Sequence, residues 1–257
     1  MSKVIKAKRV GARRPSEVPT AILNQLESGT SESVNLMEQI AIDQGSLLVA
    51  VIPRAKARAE EMKTPRLTDR MKAGARILLE LKGHEGIEEA ITWKSDTARG
   101  WGAMAVGLLP PSTPLDARLN LAKLFARDPN FTVREWAWIA VRSQIKSDLA
   151  LALSLLQEWA RDDDATVRRF ASEATRPRGV WCPHIPELKR TPELAADLLN
   201  LLCADPARYV QLSVGNWLND AAKTRPDWTL STCASWRLNQ QTATAAIVRR
   251  GLRSLSR

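Results

Sequence analysis

Two stretches of this chain repeat one frame. Arg127-Asp128-Pro129-Asn130-Phe131-Thr132-Val133-Arg134 and Arg161-Asp162-Asp163-Asp164-Ala165-Thr166-Val167-Arg168 share Arg-Asp-x-x-x-Thr-Val-Arg, and each runs straight into an apolar helical pattern. A third stretch, Ala204-Asp205-Pro206-Ala207-Arg208-Tyr209-Val210-Gln211, keeps the Asp, the Val and the helix that follows. The Asp-to-Asp steps are 34 and 43 residues. A period of about 40 residues with two helices per unit marks a HEAT-like solenoid, in which each helical pair buries one face against its neighbours. The frame therefore predicts an all-α fold, a right-handed solenoid of HEAT-like helical-pair repeats, with function expected on the inner helices. Its Asp is placed to cap the next helix by accepting free amide N–H groups. Its Val begins the buried stripe, and the Arg or Gln that follows can reach a neighbouring repeat. Asp128, Asp162 and Asp205 accordingly read as caps and not as catalytic acids.

Apolar periodicity places the helices. It predicts a long helix over 34–51, then helices over 64–83, 86–93, 97–108, 115–126, 132–143, 147–160 and 165–175. Four more are expected at 192–203, 207–224, 228–237 and 242–253, and no alternating strand pattern appears. Ser31 or Ser33 is placed to cap the first, and Ser95 or Asp96 the helix from Thr97. The segment from Arg176 to Pro183 holds two prolines and a glycine and cannot be regular helix. It accounts for the longer second step, and a long irregular loop between stacked helices is usually functional. With 44% hydrophobic residues the chain can fill one sizeable core. The expected organisation is a flexible basic segment, 1–17, followed by a single repeat domain, 18–257.

Charge points to the partner. The net formal charge is +10, concentrated at the ends. Lys3, Lys6, Lys8, Arg9, Arg13 and Arg14 face a single acid, Glu17, at one end; Arg237, Arg249, Arg250, Arg253 and Arg257 face none at the other. Such ends suit a polyanion, with double-stranded DNA the expected partner and plain solubility the alternative. Tryptophan is abundant, nine residues against one Tyr and three Phe. A Trp face can stack on a base or hold a cation, although Trp101, Trp138 and Trp159 lie within apolar patterns and read as core. No run approaches the ~20 apolar residues of a membrane span, and the N-terminus lacks the apolar segment of a secretory signal. Cys182, Cys203 and Cys233 have no CxxC spacing, and His84 and His184 are the only histidines. The expectation is a cytoplasmic, nucleoid-associated monomer with no membrane contact, no cofactor and no metal.

One pair of segments carries a more specific signal. Arg168-Arg169-Phe170-Ala171-Ser172-Glu173-Ala174-Thr175-Arg176-Pro177-Arg178-Gly179-Val180-Trp181 is followed by Tyr209-Val210-Gln211-Leu212-Ser213-Val214-Gly215-Asn216-Trp217-Leu218-Asn219-Asp220-Ala221-Ala222-Lys223. These resemble V-R-R-L-x-S-E-G-x-R-P-R-x-P-W and Y-V-R-x-S-V-A-N-x-L-N-D-x-x-K-x-x-P of the AlkC branch of the AlkC/AlkD-type HEAT-repeat DNA glycosylases, a DNA alkylation-repair family. The resemblance covers about residues 160–228. It implies excision of methylated purines such as 3-methyladenine or 7-methylguanine from duplex DNA. An alkylated purine is already cationic and leaves without protonation. What such an enzyme needs is a carboxylate to steady an oxocarbenium-like sugar and to position water.

By matched positions the resemblance makes Asp220 the candidate carboxylate, with Trp181 and Trp217 as base or sugar contacts. It gives Arg168, Arg169, Arg176, Arg178 and Lys223 to DNA phosphates. A second acid maps onto Glu135, in Arg134-Glu135-Trp136-Ala137-Trp138, with Trp136 in an aromatic position of the family pattern. The sequence departs from the pattern at Arg134, where the family has Ser, and at Ala174, Val180 and Gly215; the Arg-Pro pair after the second acid is absent. Some family members carry a C-terminal immunoglobulin-like domain that helps encircle DNA, and no such domain is expected after the last repeat. Structural readings stand beside these. Asn216, Asn219 and Asp220 could form a buried polar seam between repeats, and Trp181 could plug the gap between them. Glu135 could pair with Arg134, Arg142 or Arg169, and Glu173 with Arg176 or Arg178. Arg168 and Arg169 could pair with Asp162 to Asp164. The function expected is a monofunctional alkylpurine DNA glycosylase. The alternatives are a non-catalytic module that binds bent, branched or damaged DNA, and a protein-binding scaffold.

Overall fold

A computed structural model describes residues 9–255. Lys3, Lys6, Lys8 and Arg257 of the basic ends lie outside the described residues. Every regular element among the described residues is a helix, so the all-α architecture expected from the repeated frame is what the chain forms. No helix among them is long and apolar enough to cross a membrane. The chain packs as two compact units, one reaching to Leu108 and including Asn130–Val133, the other comprising Leu109–Pro129 and the residues from Arg134 onward.

The first unit contains α1 (Thr20–Glu27), α2 (Leu36–Ala41), α3 (Gln44–Val51), a 3-10 segment (Pro53–Met62), α4 (Leu67–Lys82), α5 (Glu85–Ala90) and α6 (Asp96–Leu108). The single helix expected over 34–51 is two. Ile42 is extended (ψ 128°), and the Asp43 carboxylate accepts from Gly45 N at 2.9 Å and starts α3 afresh. α2 is capped by Asn35, whose side chain accepts from Glu38 N, and not by Ser31 or Ser33. Ser33 instead donates its N–H to the buried Asp96 carboxylate (2.9 Å), which Thr132 Oγ1 also approaches at 2.8 Å. Ser95 Oγ accepts from Ala98 N and supplies the cap of α6. The core centres on Trp101, whose indole N–H donates to Gln44 Oε1 at 3.1 Å. Its ring lies on α4 at Gly74, where an added Cβ would come within 2.6 Å of the indole. The nearer part of the N-terminal segment is anchored: Arg9 pairs with the buried Glu38 and donates to Glu32 O, and Ala12 O accepts from Asn35 Nδ2.

The remaining helices are α7 (Leu115–Ala126), α8 (Phe131–Ala140), α9 (Arg142–Ser147), α10 (Leu149–Trp159), α11 (Ala165–Ala174), α12 (Pro186–Arg190), α13 (Ala196–Leu202), α14 (Arg208–Ala222), α15 (Pro226–Arg237) and α16 (Thr242–Gly251). Within the second unit the later helix of each pair packs on that of the next, α11 on α14 and α14 on α16. Phe125, Trp136, Leu156, Phe170, Val214, Trp217, Leu218 and Ile247 are buried there. The helix expected over 132–143 breaks at Val141 (φ −95°, ψ 4°), and α10 is capped by Asp148, whose side chain accepts from Leu151 N.

The frame's chemistry proves to lie in its last residue. Arg134 donates to the carbonyls of Asp128 and Pro129, Arg168 to those of Asp162 and Asp163, and Gln211 to those of Asp205 and Pro206. One side chain at the same frame position thus satisfies two loop carbonyls in all three copies, because a carbonyl left unpaired there would cost about 1–3 kcal/mol. At Asp162 and Asp205 the frame's Asp does not cap directly. Asp162 and Asp205 each accept from the N–H two residues on, closing an Asx-type turn, while Asp164 caps α11 through Thr166 N. Their other contacts come from the preceding repeat: Lys123 and Arg127 reach Asp162, and Arg168 reaches Asp205.

Asp162 shows what this bridging is worth. Burial would raise its pKa, but the Lys123 ammonium at 2.7 Å, the Asp164 N–H and the Arg127 guanidinium outweigh that and hold it down at about 2. A depressed carboxylate contributes stability above its unfolded pKa of about 3.9 and loses it as pH falls through the folded value. Discounted for solvent screening, the contribution is about 1 kcal/mol. Urea melts of Asp162→Asn should therefore fall below wild type by that amount at pH 6, with the gap closing towards pH 2. A gap that does not change with pH would rule the bridge out as its source.

Candidate functional site

The polar residues singled out by sequence converge on the later helices of the second unit. They form an alternating chain of charges. Glu135 on α8 accepts from Arg169 on α11 at 2.6 Å. Arg169 also approaches Glu173 at 3.4 Å, one helical turn on. Glu173 accepts from Arg176 at 3.1 Å, and Arg176 reaches across to Asp220 on α14 at 2.8 Å. Lys223 closes the series at 3.5 Å from Asp220. The register follows from the repeat: Glu135 and Arg169 are 34 residues apart, one period, so equivalent positions on successive helices face each other. Of the partners open to Glu135, it takes Arg169; Glu173 takes Arg176 and Arg169, and not Arg178.

Each link is oriented from the side. Glu135 Oε2 accepts from the indole N–H of the buried Trp138 at 2.8 Å. The Arg169 guanidinium lies 4.3 Å from the Tyr209 ring centroid, and that of Arg134 lies 5.1 Å from it. Burial opposes the charge of Arg169, but Glu135, Glu173 and Tyr209 outweigh it and raise its pKa. Arg176 behaves alike: burial lowers its pKa, and Glu173 and Asp220 more than restore it. Both arginines are thus fixed cations between carboxylates.

The carboxylates differ in access. Asp220 is 4% exposed, whereas the Glu135 side chain keeps 32% of its surface. The phosphate-gripping set divides as well. Arg168 is held by the Asp205 carboxylate and the Asp162 and Asp163 carbonyls, so it knits repeats together. Arg178 donates to a neutral oxygen, Asp220 O, at 3.3 Å, and among the described residues no carboxylate forms an ion pair with it.

The tryptophans separate just as clearly. Trp217, expected at the base, is fully buried, with its N–H on Thr175 O at 3.0 Å and its ring 5.9 Å from that of Trp228. It has no face open to a ligand, because its side of α14 meets α11 and α15. Trp136 is also buried, and its indole N–H has no hydrogen-bond partner among the described residues. Trp181 is 49% exposed and adopts a left-handed backbone, φ 63°. A bulky residue there is a genuine outlier, a kind of strain found at functional sites. Its ring centroid lies 6.2 Å from that of Trp136.

Sequence reasoning missed the residue that holds the Trp181 loop. Arg142, considered there only as a partner for Glu135, is buried and donates to the carbonyls of Ala174, Arg176 and Pro183. It stands one 34-residue period before Arg176, and that offset was the available signal. The polar seam expected from Asn216 and Asn219 exists between α14 and α16: Asn219 donates to Gly251 O and Ser254 Oγ, and Asn216 Oδ1 accepts from Arg250 and Arg253.

Comparison with known proteins falls on the same helices. The family profile described as DNA alkylation repair enzyme matches residues 132–255, which hold the whole charge chain. An uncharacterised protein of Bacillus subtilis, YhaZ, is 31% identical over 148 residues, 58% of this chain and 42% of its own. The Pseudomonas fluorescens alkylpurine DNA glycosylase AlkC, solved bound to DNA containing an abasic site analog, is 26% identical with a TM-score of 0.71. That match covers 96% of this chain and 66% of AlkC, so this chain spans less than two thirds of either relative. AlkD2 from Streptococcus mutans shares the fold at 20% identity, with a TM-score of 0.61 over 79% of this chain and 96% of its own. With both sequence motifs, the helical repeats and the matched profile falling on one set of helices, the chain belongs to the AlkC/AlkD-type DNA alkylation-repair family.

Proposed function

We propose that this protein excises cationic alkylated purines from duplex DNA, with Asp220 as the carboxylate that stabilises the oxocarbenium-like sugar. The observation that carries the reading is the setting of Asp220, buried on α14 within the family-matched segment and oriented by Arg176 and Lys223. A fixed carboxylate in low-dielectric surroundings acts strongly on a charge that develops in the transition state. The alkylated base brings its own positive charge, so no general acid is required. Trp181 offers an exposed aromatic face for such a cation. Glu135, the more accessible acid, is suited to place the water. Arg178 supplies a cation for the backbone, with Arg169, Arg176 and Lys223 serving first to set the carboxylates. Trp217 and Trp136 support the site from within.

One observation favours a second reading. Asp220 is almost wholly covered and already bonded to two cations, which suits a module that binds DNA without chemistry. Base release decides between them. Duplex DNA treated with a methylating agent should lose 3-methyladenine or 7-methylguanine in the presence of the purified protein, leaving abasic sites. DNA binding with no release from either lesion would leave the non-catalytic reading in possession.

A further inference from the structure

The charge chain is balanced: Glu135, Glu173 and Asp220 alternate with Arg169, Arg176 and Lys223. Arg250 and Arg253, at the end of α16, stand outside that balance. Arg250 Nε donates to Asn216 Oδ1 at 2.9 Å, and Arg253 Nη2 donates to the same oxygen at 3.2 Å. Arg253 Nη1 adds a bond to Arg250 O at 2.7 Å. All these acceptors are neutral. Among the described residues no carboxylate pairs with either arginine. Two guanidinium groups are therefore drawn to one amide oxygen with no carboxylate bonded to either. Burial, then Arg250 and Arg176, pull the pKa of Arg253 down, and only Asp220, already shared by Arg176 and Lys223, pulls it back. Such crowding of like charges is relieved by an anion.

The backbone is shaped to hold this arrangement. α14 and α16 pack closely, and a Cβ on Gly215 would come within 2.8 Å of Arg250 Cβ, 2.9 Å of its Cδ and 3.0 Å of its Cγ. Gly251 answers it from α16, where a Cβ would come within 2.8 Å of Leu218. The missing side chain at position 215, a departure from the family pattern, is thus the notch in which the Arg250 stem lies. An alanine there would displace the stem and with it the Arg250–Asn216 bond.

We infer that Asn216, Arg250 and Arg253 form a built seat for a phosphodiester of the DNA backbone, on the α16 side of Asp220. The inference rests on the DNA reading proposed above and adds residues and a ligand group to it. Guanidinium groups are suited to this because their planar forks bind phosphate oxygens in pairs. Asn216 acts as a positioning residue: it aims the two cations and carries no charge itself.

The test is fluorescence anisotropy with an undamaged labelled duplex over a salt series. Each phosphate contact adds about 0.9 to the slope of log affinity against log salt. Arg250→Gln and Arg253→Gln should each lower the slope by about half that amount, and the double variant should lower it by about 0.9 and weaken binding about tenfold at low salt. Asn216→Ala keeps both charges and should keep most of the slope, with affinity down about threefold. Arg250→Lys should restore most of the slope, and Arg161→Gln, at a surface arginine paired with Glu158, should leave it unchanged. Circular dichroism melts of each variant separate lost contacts from lost folding. Slopes unchanged in both Arg→Gln variants would overturn the seat while leaving base release, scored separately on methylated DNA, to judge the proposed function. A wild-type protein that binds no duplex would overturn both.

Discussion

Asp220→Asn should lower the single-turnover rate of base release from methylated duplex DNA by about 10²–10³-fold, the usual scale for losing one electrostatic stabiliser of a developing charge. The substitution keeps size and shape, so Arg176 retains Glu173 at 3.1 Å and α14 keeps its packing. What disappears is the negative charge proposed to stabilise the sugar. Affinity for undamaged DNA should hold or rise slightly, since a negative charge is removed from a chain of net charge +10. That opposite movement of rate and affinity marks a residue acting on the transition state. A variant that releases base within threefold of wild type would strip Asp220 of the role, and Glu135→Gln would then be the decisive comparison, because Glu135 is the more exposed acid of the same charge chain.

Arg142→Met should destabilise the protein by about 3 kcal/mol and loosen the Trp181 loop. The Arg142 guanidinium is buried and bonded to the carbonyls of Ala174, Arg176 and Pro183. Two of these lie at the C-terminal end of α11, where a cation also complements the helix dipole. Burial brings its pKa to about 10, with Arg176 pressing the same way and Glu173 and Asp220 opposing. It therefore stays protonated at neutral pH. Methionine fills much of the space but satisfies none of the acceptors, and unpaired buried carbonyls cost about 1–3 kcal/mol. Thermal melts report the stability. Tryptic cleavage after Arg178, in the loop that Arg142 ties down, reports the loosening. A variant that melts within about 1 kcal/mol of wild type and shows no new cleavage would mean the loop is held by something else.

Local chemistry explains how much of this was legible in advance. The helices of the second unit follow from apolar periodicity and from prolines that forbid helix between Arg176 and Pro183. At two boundaries a side chain sets the start: Asp43 starts α3 and Asp148 starts α10. The direction of the frame's Arg was foreseen in part, since Arg168 does reach the next repeat at Asp205, but its bonds back to its own loop were not. Trp181 and Trp217 looked equivalent as aromatic positions in a motif. One is half open and the other sealed, because that depends on what packs against α14, which no local pattern records.

By itself the sequence determined the all-helical repeat, its period and the residues brought onto one set of helices, since spacing and amphipathic pattern act within a few turns of chain. Only the tertiary structure decided that Glu135 faces Arg169, that Arg142 pins a loop one period away, and that Arg250 of α16 and Arg253 just beyond it share the amide oxygen of Asn216. Those pairings join residues more than thirty positions apart, and they are selected by the closeness with which helices stack. At Gly215 that closeness turns on the absence of a single carbon.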